Sequence, residues 1–408
     1  MRTFKPSLEN VKKALTLIRT TFLETPLERN AILSKKHNCD VFAKHEDRSI
    51  VRSYKYRGAY NKMCSLESGD KVVTCSAGNH AQGVAYSSAA LGMTADIFMP
   101  KKTTQQKIDK VLGFGGNSVK VFLEGDSFDE SNDIASRHCR KLGLEFVPPF
   151  DDEKVIEGQA TVGLEILEKL SGIDYLVLPV GGGGLAAGVS SVFRELSPHT
   201  KIIGVEPFGA ASLTLALGAG KPTKLEKIDT FVDGAAVKMI GSLNYPLCAT
   251  GLDKVLLVQE GHVCSKILQM YNESGFIIEP AGVLSLCALD LMAGEIKDKK
   301  VVCVISGGNS DVFRMPEILE RSLIYEGRKQ YFKVEFAQKA GALKEFILSV
   351  LGPGDDIIYF RYTKLINRET GPVVIGIETK DKVAGLELFD KMTAAGLVFE
   401  KLTNVADI

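Results

Sequence analysis

The feature that most constrains the fold is an alternation that runs through most of the chain. Short apolar strands at 71–75, 95–100, 118–122, 145–147, 174–180, 201–205, 254–258 and 300–305 are separated by helix-period segments. That order predicts βαβ units and parallel sheets, hence an α/β fold. Three of these strands run straight into loops of small residues: Ser76-Ala77-Gly78-Asn79-His80 after the first, Gly181-Gly182-Gly183-Gly184-Leu185 after 174–180, and Ser306-Gly307-Gly308-Asn309 after the last. In open α/β sheets ligands bind beyond the carboxyl ends of the strands, so these loops are the candidate site.

Ahead of the alternation, Ser7 and the apolar positions Val11, Ala14, Leu15 and Ile18 predict a helix over 7–22, and a short strand is predicted at 40–44. After about residue 325 the order becomes strand 331–336, helix 341–351, strands 357–362 and 372–378, helix 382–394 and strand 397–402. This βαββαβ order is the ferredoxin-like unit. The expected division is a part over 1–325, with a smaller subdomain at about 46–150 inserted in a larger one, followed by a small domain over 326–408.

Charge excludes some partners. Lys+Arg and Asp+Glu both number 50, so there is no basic footprint for nucleic acid and no pull toward an acidic membrane. The eight cysteines are scattered, with no C-x-x-C pair, which argues against a disulfide framework or a zinc site. The amino-terminal residues lack an apolar signal core and no run reaches the length of a membrane span, so the expected location is the cytoplasm.

Lys55, in Ser53-Tyr54-Lys55-Tyr56-Arg57-Gly58-Ala59, stands where a charged loop gives way to a helix. Burial and the positive end of the helix dipole both disfavour an ammonium there, and a neutral lysine forms a Schiff base with a carbonyl. Taken alone, Lys55 reads as a surface lysine. Four successive glycines ahead of a helix let backbone N–H groups converge on a phosphate. The same stretch, as Gly182-x-Gly184-x-x-Ala187 with Glu206 ending the next strand, also fits a relaxed dinucleotide fingerprint, so an NAD-dependent oxidoreductase is the competing reading. Ser76–His80 has the hydroxyl, amide and backbone donors to grip a carboxylate, although Ser76 or Asn79 also reads as a helix N-cap. Ser306 reads either as a ligand to a ring nitrogen or as part of a turn.

Taken together and in this order, these motifs resemble threonine dehydratase (threonine ammonia-lyase), a pyridoxal phosphate (PLP) enzyme of fold type II, the tryptophan synthase β-like fold. The likeness covers about residues 5–320, with Gly158-Gln159 and Glu279-Pro280-Ala281-Gly282 also fitting. The segments 338–346, 352–357 and 371–378 resemble the single ACT-like regulatory domain of the short biosynthetic forms. The resemblance implies two α/β subdomains with parallel sheets and PLP as cofactor. It implies that Lys55 anchors PLP covalently and then acts as base, and that Asn79 contacts the ring hydroxyl. Gly181, Gly182, Gly183, Gly184 and Leu185 would hold the phosphate, Ser306 the pyridine nitrogen, and Ser76, Ala77, Gly78, Asn79 and His80 the substrate carboxylate. It further implies conversion of L-threonine to 2-oxobutanoate and ammonia as the first step of isoleucine biosynthesis, feedback by isoleucine or valine, and a homotetramer. A serine dehydratase or racemase on the same scaffold is the near alternative. This chain departs from the usual pattern at Tyr54, commonly Phe, at Gly308, commonly Ala, and over Ile50-Val51-Arg52.

Overall fold

In the computed structural model, which describes residues 4–67, 69–363 and 369–402, the chain forms two compact units, Met1–Asp311 and Val312–Ile408. The first holds two sheets. The larger has six strands in the order Leu27–Arg29, Asp40–His45, Lys300–Ile305, Tyr175–Pro179, Lys201–Pro207 and Lys254–Val258. The smaller has four, in the order Val119–Leu123, Thr94–Met99, Lys71–Cys75 and Glu145–Phe146, all parallel. The larger sheet departs from the expected parallel pairing at one edge, where Leu27–Arg29 runs antiparallel to Asp40–His45. Helix Ala31–His37 is too short a crossover to return the chain in the parallel sense.

Buried strands explain the unbroken apolar runs. Leu176, Leu178, Val302 and Val304 pack against Ile156, Val162, Leu185 and Val189 of the helices Glu153–Lys169 and Gly184–Leu196. Val72 and Ile97 of the smaller sheet pack against Ala81, Val84 and Ala85 of helix Asn79–Leu91. Helix Leu8–Arg19 starts where Ser7 Oγ accepts the Asn10 N–H at 3.2 Å, and it buries Val11, Ala14, Leu15 and Ile18.

Helix Lys55–Met63 crosses helix Glu153–Lys169 at close range, because a Cβ added at Gly158 would lie 2.7 Å from Gly58 Cα. Four charged side chains fix that crossing. The buried Arg57 guanidinium donates to Glu46 (Nε–Oε2 2.8 Å) and to Glu165 (Nη1–Oε1 2.8 Å, Nη2–Oε2 2.7 Å), and Lys44 Nζ donates to Glu165 Oε2 at 2.6 Å. Two cations meet two carboxylates, so the cluster is neutral. Burial pushes the Glu165 carboxyl up, but Arg57 and Lys44 more than offset it and bring it down to about 2.

The second unit carries the antiparallel sheet Asp356–Tyr362, Thr370–Glu378, Lys329–Ala337, Val398–Leu402, with helices Ala342–Val350 and Lys382–Ala394 completing the βαββαβ order. Phe332, Val334, Ile375, Ile377 and Leu388 form its core. Helix Met315–Tyr325 joins it through Glu320, which accepts from Tyr331 Oη at 2.7 Å.

Candidate functional site

Lys55 is the first residue of its helix. Its Nζ donates to the Pro149 carbonyl at 2.8 Å, and burial brings its pKa down to about 8, with Glu279 opposing the shift. The next residue along that loop, Phe150, lies against the glycine run: a Cβ at Gly182 would come within 2.3 Å of its ring, and one at Gly181 within 2.8 Å of Ala235 Cα. Gly183 sits at φ 87° and directly precedes helix Gly184–Leu196. No side chain fits at these positions, so the loop stays bare backbone ahead of the helix's first, unpaired N–H groups, which is the chemistry of an anion cradle. Asn244 pins the loop from the other side, its Nδ2 donating to Gly182 O at 2.7 Å and Phe150 O at 3.2 Å.

The serine loop is stitched to the lysine segment through backbone. Tyr54 N donates to Ser306 O at 3.1 Å, Gly308 N donates to Arg52 O at 2.9 Å, and Ser53 and Gly307 form an antiparallel bridge. Ser306 is buried.

The loop Ser76–His80 does not cap its helix in the ordinary way. Gly78 is the residue before helix Asn79–Leu91 and no side chain caps it; Ser76 Oγ takes the Gly78 N–H at 3.1 Å instead. Asn79 turns to Glu279 and Asn309, donating from Nδ2 to Glu279 Oε1 at 2.7 Å and accepting at Oδ1 from Asn309 Nδ2 at 2.8 Å. His80 is buried with Nε2 against the Val147 carbonyl at 2.9 Å. That contact makes Nε2 the protonated nitrogen. Burial first, and the Lys55 charge second, push the ring down to about 3, so it stays neutral.

Four residues outside the predicted set belong to this arrangement: Pro149 and Phe150, at the end of the expected smaller subdomain, Asn244, and Glu279. Burial raises Glu279 to about 7, against the lowering effect of its Asn79 bond. Its sequence signal was the segment Glu279-Pro280-Ala281-Gly282, which fits the family resemblance but gives the carboxylate no role.

The dinucleotide reading fails on Glu206. Its carboxylate already accepts from Leu213 N at 2.7 Å, Thr214 N at 2.9 Å and Thr214 Oγ1 at 2.8 Å, and it is buried, which leaves nothing to offer a ribose.

A half-buried lysine of lowered pKa, an anion cradle and a buried serine loop at the carboxyl edges of parallel strands fit PLP: a covalent anchor, a phosphate seat and a ring partner. Residues 18–307 match the family model of pyridoxal-phosphate dependent enzymes, and the chain belongs to that family. Residues 320–407 match the C-terminal regulatory domain of threonine dehydratase. Within the family the chain falls among the threonine dehydratases. It is 47% identical over 404 residues to the biosynthetic L-threonine dehydratase of Halalkalibacterium halodurans, spanning 98% of this chain and 97% of that one. The Bacillus subtilis enzyme of the same name is also 47% identical, over 405 residues, spanning 98% of this chain and 96% of that one. Among solved structures, the processed form of threonine deaminase isoform 2 from Solanum lycopersicum superposes with a TM-score of 0.72 at 40% identity, covering 78% of this chain and 94% of that one.

Proposed function

We propose that this chain deaminates L-threonine to 2-oxobutanoate and ammonia. One observation carries the reading: the Pro149–Phe150 loop holds the Lys55 amine through one residue and floors the glycine cradle with the next. Anchor and phosphate seat are thereby set at a fixed spacing. Lys55 anchors PLP, Asn79 meets the ring hydroxyl, Gly181, Gly182, Gly183, Gly184 and Leu185 seat the phosphate, and Ser306 meets the pyridine nitrogen. Ser76, Ala77, Gly78, Asn79 and His80 take the substrate carboxylate, with uncapped helix N–H groups behind them. PLP, when bound, supplies a sink for the electrons released at the substrate α-carbon. The Lys55 amine, in its neutral form, would take the α-proton. The Pro149 carbonyl gives the free amine a fixed resting place. Loss of the β-hydroxyl as water and hydrolysis of the released enamine complete the reaction.

The catalytic part is taken as 1–325, with the smaller subdomain at about 46–150, and the regulatory part as 326–408. We assign isoleucine or valine as effector of the latter, a homotetrameric assembly and a cytoplasmic location. The match of residues 320–407 to the C-terminal regulatory domain of threonine dehydratase supports a regulatory role for that part. No helix among the described residues is long and apolar enough to cross a membrane. The test is turnover of threonine against serine by the purified protein, with and without isoleucine. The expected result is a yellow protein that favours threonine and loses both colour and turnover as Lys55→Ala. A colourless wild type, or one that turns over serine alone, overturns the assignment.

A further inference from the structure

Asn79 is held by a chain of hydrogen bonds whose direction is fixed from the backbone outward. Asn309 Nδ2 donates to the Val51 carbonyl at 2.9 Å, and a carbonyl only accepts, so this end of Asn309 is the amine. Lys110 Nζ donates to Asn309 Oδ1 at 3.2 Å, which confirms the orientation. The same Asn309 Nδ2 donates to Asn79 Oδ1 at 2.8 Å, so Asn79 also has its orientation set. Its Nδ2 then donates one hydrogen to Glu279 Oε1 at 2.7 Å. The Asn309 backbone N–H holds the other Glu279 oxygen at 3.1 Å. Each oxygen of the carboxylate and the amide oxygen of Asn79 already holds a donor. What remains is the second hydrogen on Asn79 Nδ2, a donor.

We propose that Glu279 is a positioning residue, which together with Asn309 presents the amide of Asn79 donor-first to the oxygen on the cofactor ring. The proposal rests on the assignment of Asn79 to that ring oxygen. Glu279 has little room to do anything else. A Cβ at Gly307 would lie 2.3 Å from Glu279 Oε1 and 3.2 Å from Asn79 Nδ2, and one at Gly234 would lie 3.4 Å from Glu279 Oε1, so the two glycines pack closely against the bonded Glu279–Asn79 pair. A glutamine at 279 keeps the size but meets the Asn309 N–H or the Asn79 amine with its own NH₂, so one end of the pairing becomes donor against donor.

The experiment is a double-mutant cycle on the holoenzyme, reading retention of the visible cofactor band during dialysis together with kcat/KM for threonine. Asn79→Ala is expected to weaken retention about tenfold or more, the size of a hydrogen bond made with a charged partner. Glu279→Gln is expected to do nearly the same alone and to add less than about twofold on top of Asn79→Ala. Asn309→Asp, which turns a donor into an acceptor facing Asn79 Oδ1, is expected to follow Glu279→Gln and replaces it in the cycle if that variant does not fold. Equal factors in both backgrounds, or retention by Glu279→Gln and Asn309→Asp equal to wild type, overturn the positioning role. Wild-type protein without a band that Lys55→Ala abolishes would instead sink the PLP assignment on which the role rests.

Discussion

The backbone N–H of Tyr54 donates to the carbonyl of Ser306 at 3.1 Å, so the residue before the lysine and the serine across the site are joined without either side chain. Ser306→Ala therefore keeps the scaffold and removes only a hydroxyl. In the cofactor-free protein its unfolding free energy in urea is expected to change by less than about 0.5 kcal/mol. Threonine turnover by the loaded enzyme is expected to fall about tenfold or more. A large stability loss with unchanged turnover would mean that the hydroxyl is structural.

Gly307 is different in kind. The 2.3 Å approach of its would-be Cβ to Glu279 Oε1 leaves no room for a methyl group. Gly307→Ala is expected to cost about 1–3 kcal/mol in urea denaturation. Gly308→Ala is expected to be strained as well, though less, because a Cβ there meets the Ile277 carbonyl at 3.0 Å and Asp47 Cβ at 3.1 Å beside the end of the Arg52 side chain at 2.9 Å.

Removing Arg57 leaves Glu46 and Glu165 buried without their main partner. Arg57→Ala is expected to lose about 3–5 kcal/mol of stability by chemical denaturation. Glu165→Gln is expected to be destabilising as well, because Lys44 and Arg57 then share a single carboxylate.

Glu279 and Lys55 give the cofactor-free protein opposite pH slopes. Glu279 titrates near 7 when folded, above its ordinary 4.5, so the folded state holds the extra proton between those values. Its contribution is fully present below about 4.5 and is lost as pH rises to about 7, a change of about 3 kcal/mol. Glu279→Gln should flatten stability against pH in that window. Lys55, brought down from 10.5 to about 8, works the other way: the unfolded state holds the extra proton, so stability rises with pH between about 8 and 10.5. Lys55→Met should remove that rise. Urea titrations across pH 4–10 check both.

A chain ending at Tyr325, the limit of the proposed catalytic part, is expected to keep threonine turnover and lose any response to isoleucine. Persistence of the response in the shortened chain would move the effector site out of the C-terminal unit.

Periodicity made much of the fold legible. Strands Lys71–Cys75 and Lys300–Ile305 and helix Lys382–Ala394 fall where the pattern puts them, because each buries a continuous run or a clear stripe. Strand Leu27–Arg29 escaped notice because it is a three-residue edge with two exposed positions. Helix Asn244–Gly251 escaped because Pro246 reads as a breaker in sequence, although in the first turn no N–H is needed from it, and because its apolar residues favour no face. In the site, local chemistry pointed to Lys55, the glycines, Asn79 and Ser306. Glu279 was invisible as a partner, since it reaches Asn79 across 200 residues of sequence. Phe150 and Asn244 act by shape and by a single amide, and neither leaves a motif.

The contact between Gly182 and the Phe150 ring ties two positions into one heritable unit. Any residue larger than glycine at 182 must be accompanied by a smaller one at 150. A library that varies position 182 alone should return only glycine, whereas one that varies both together should return paired solutions. The two sites are therefore expected to evolve in step, along a path on which either single change is the less fit intermediate.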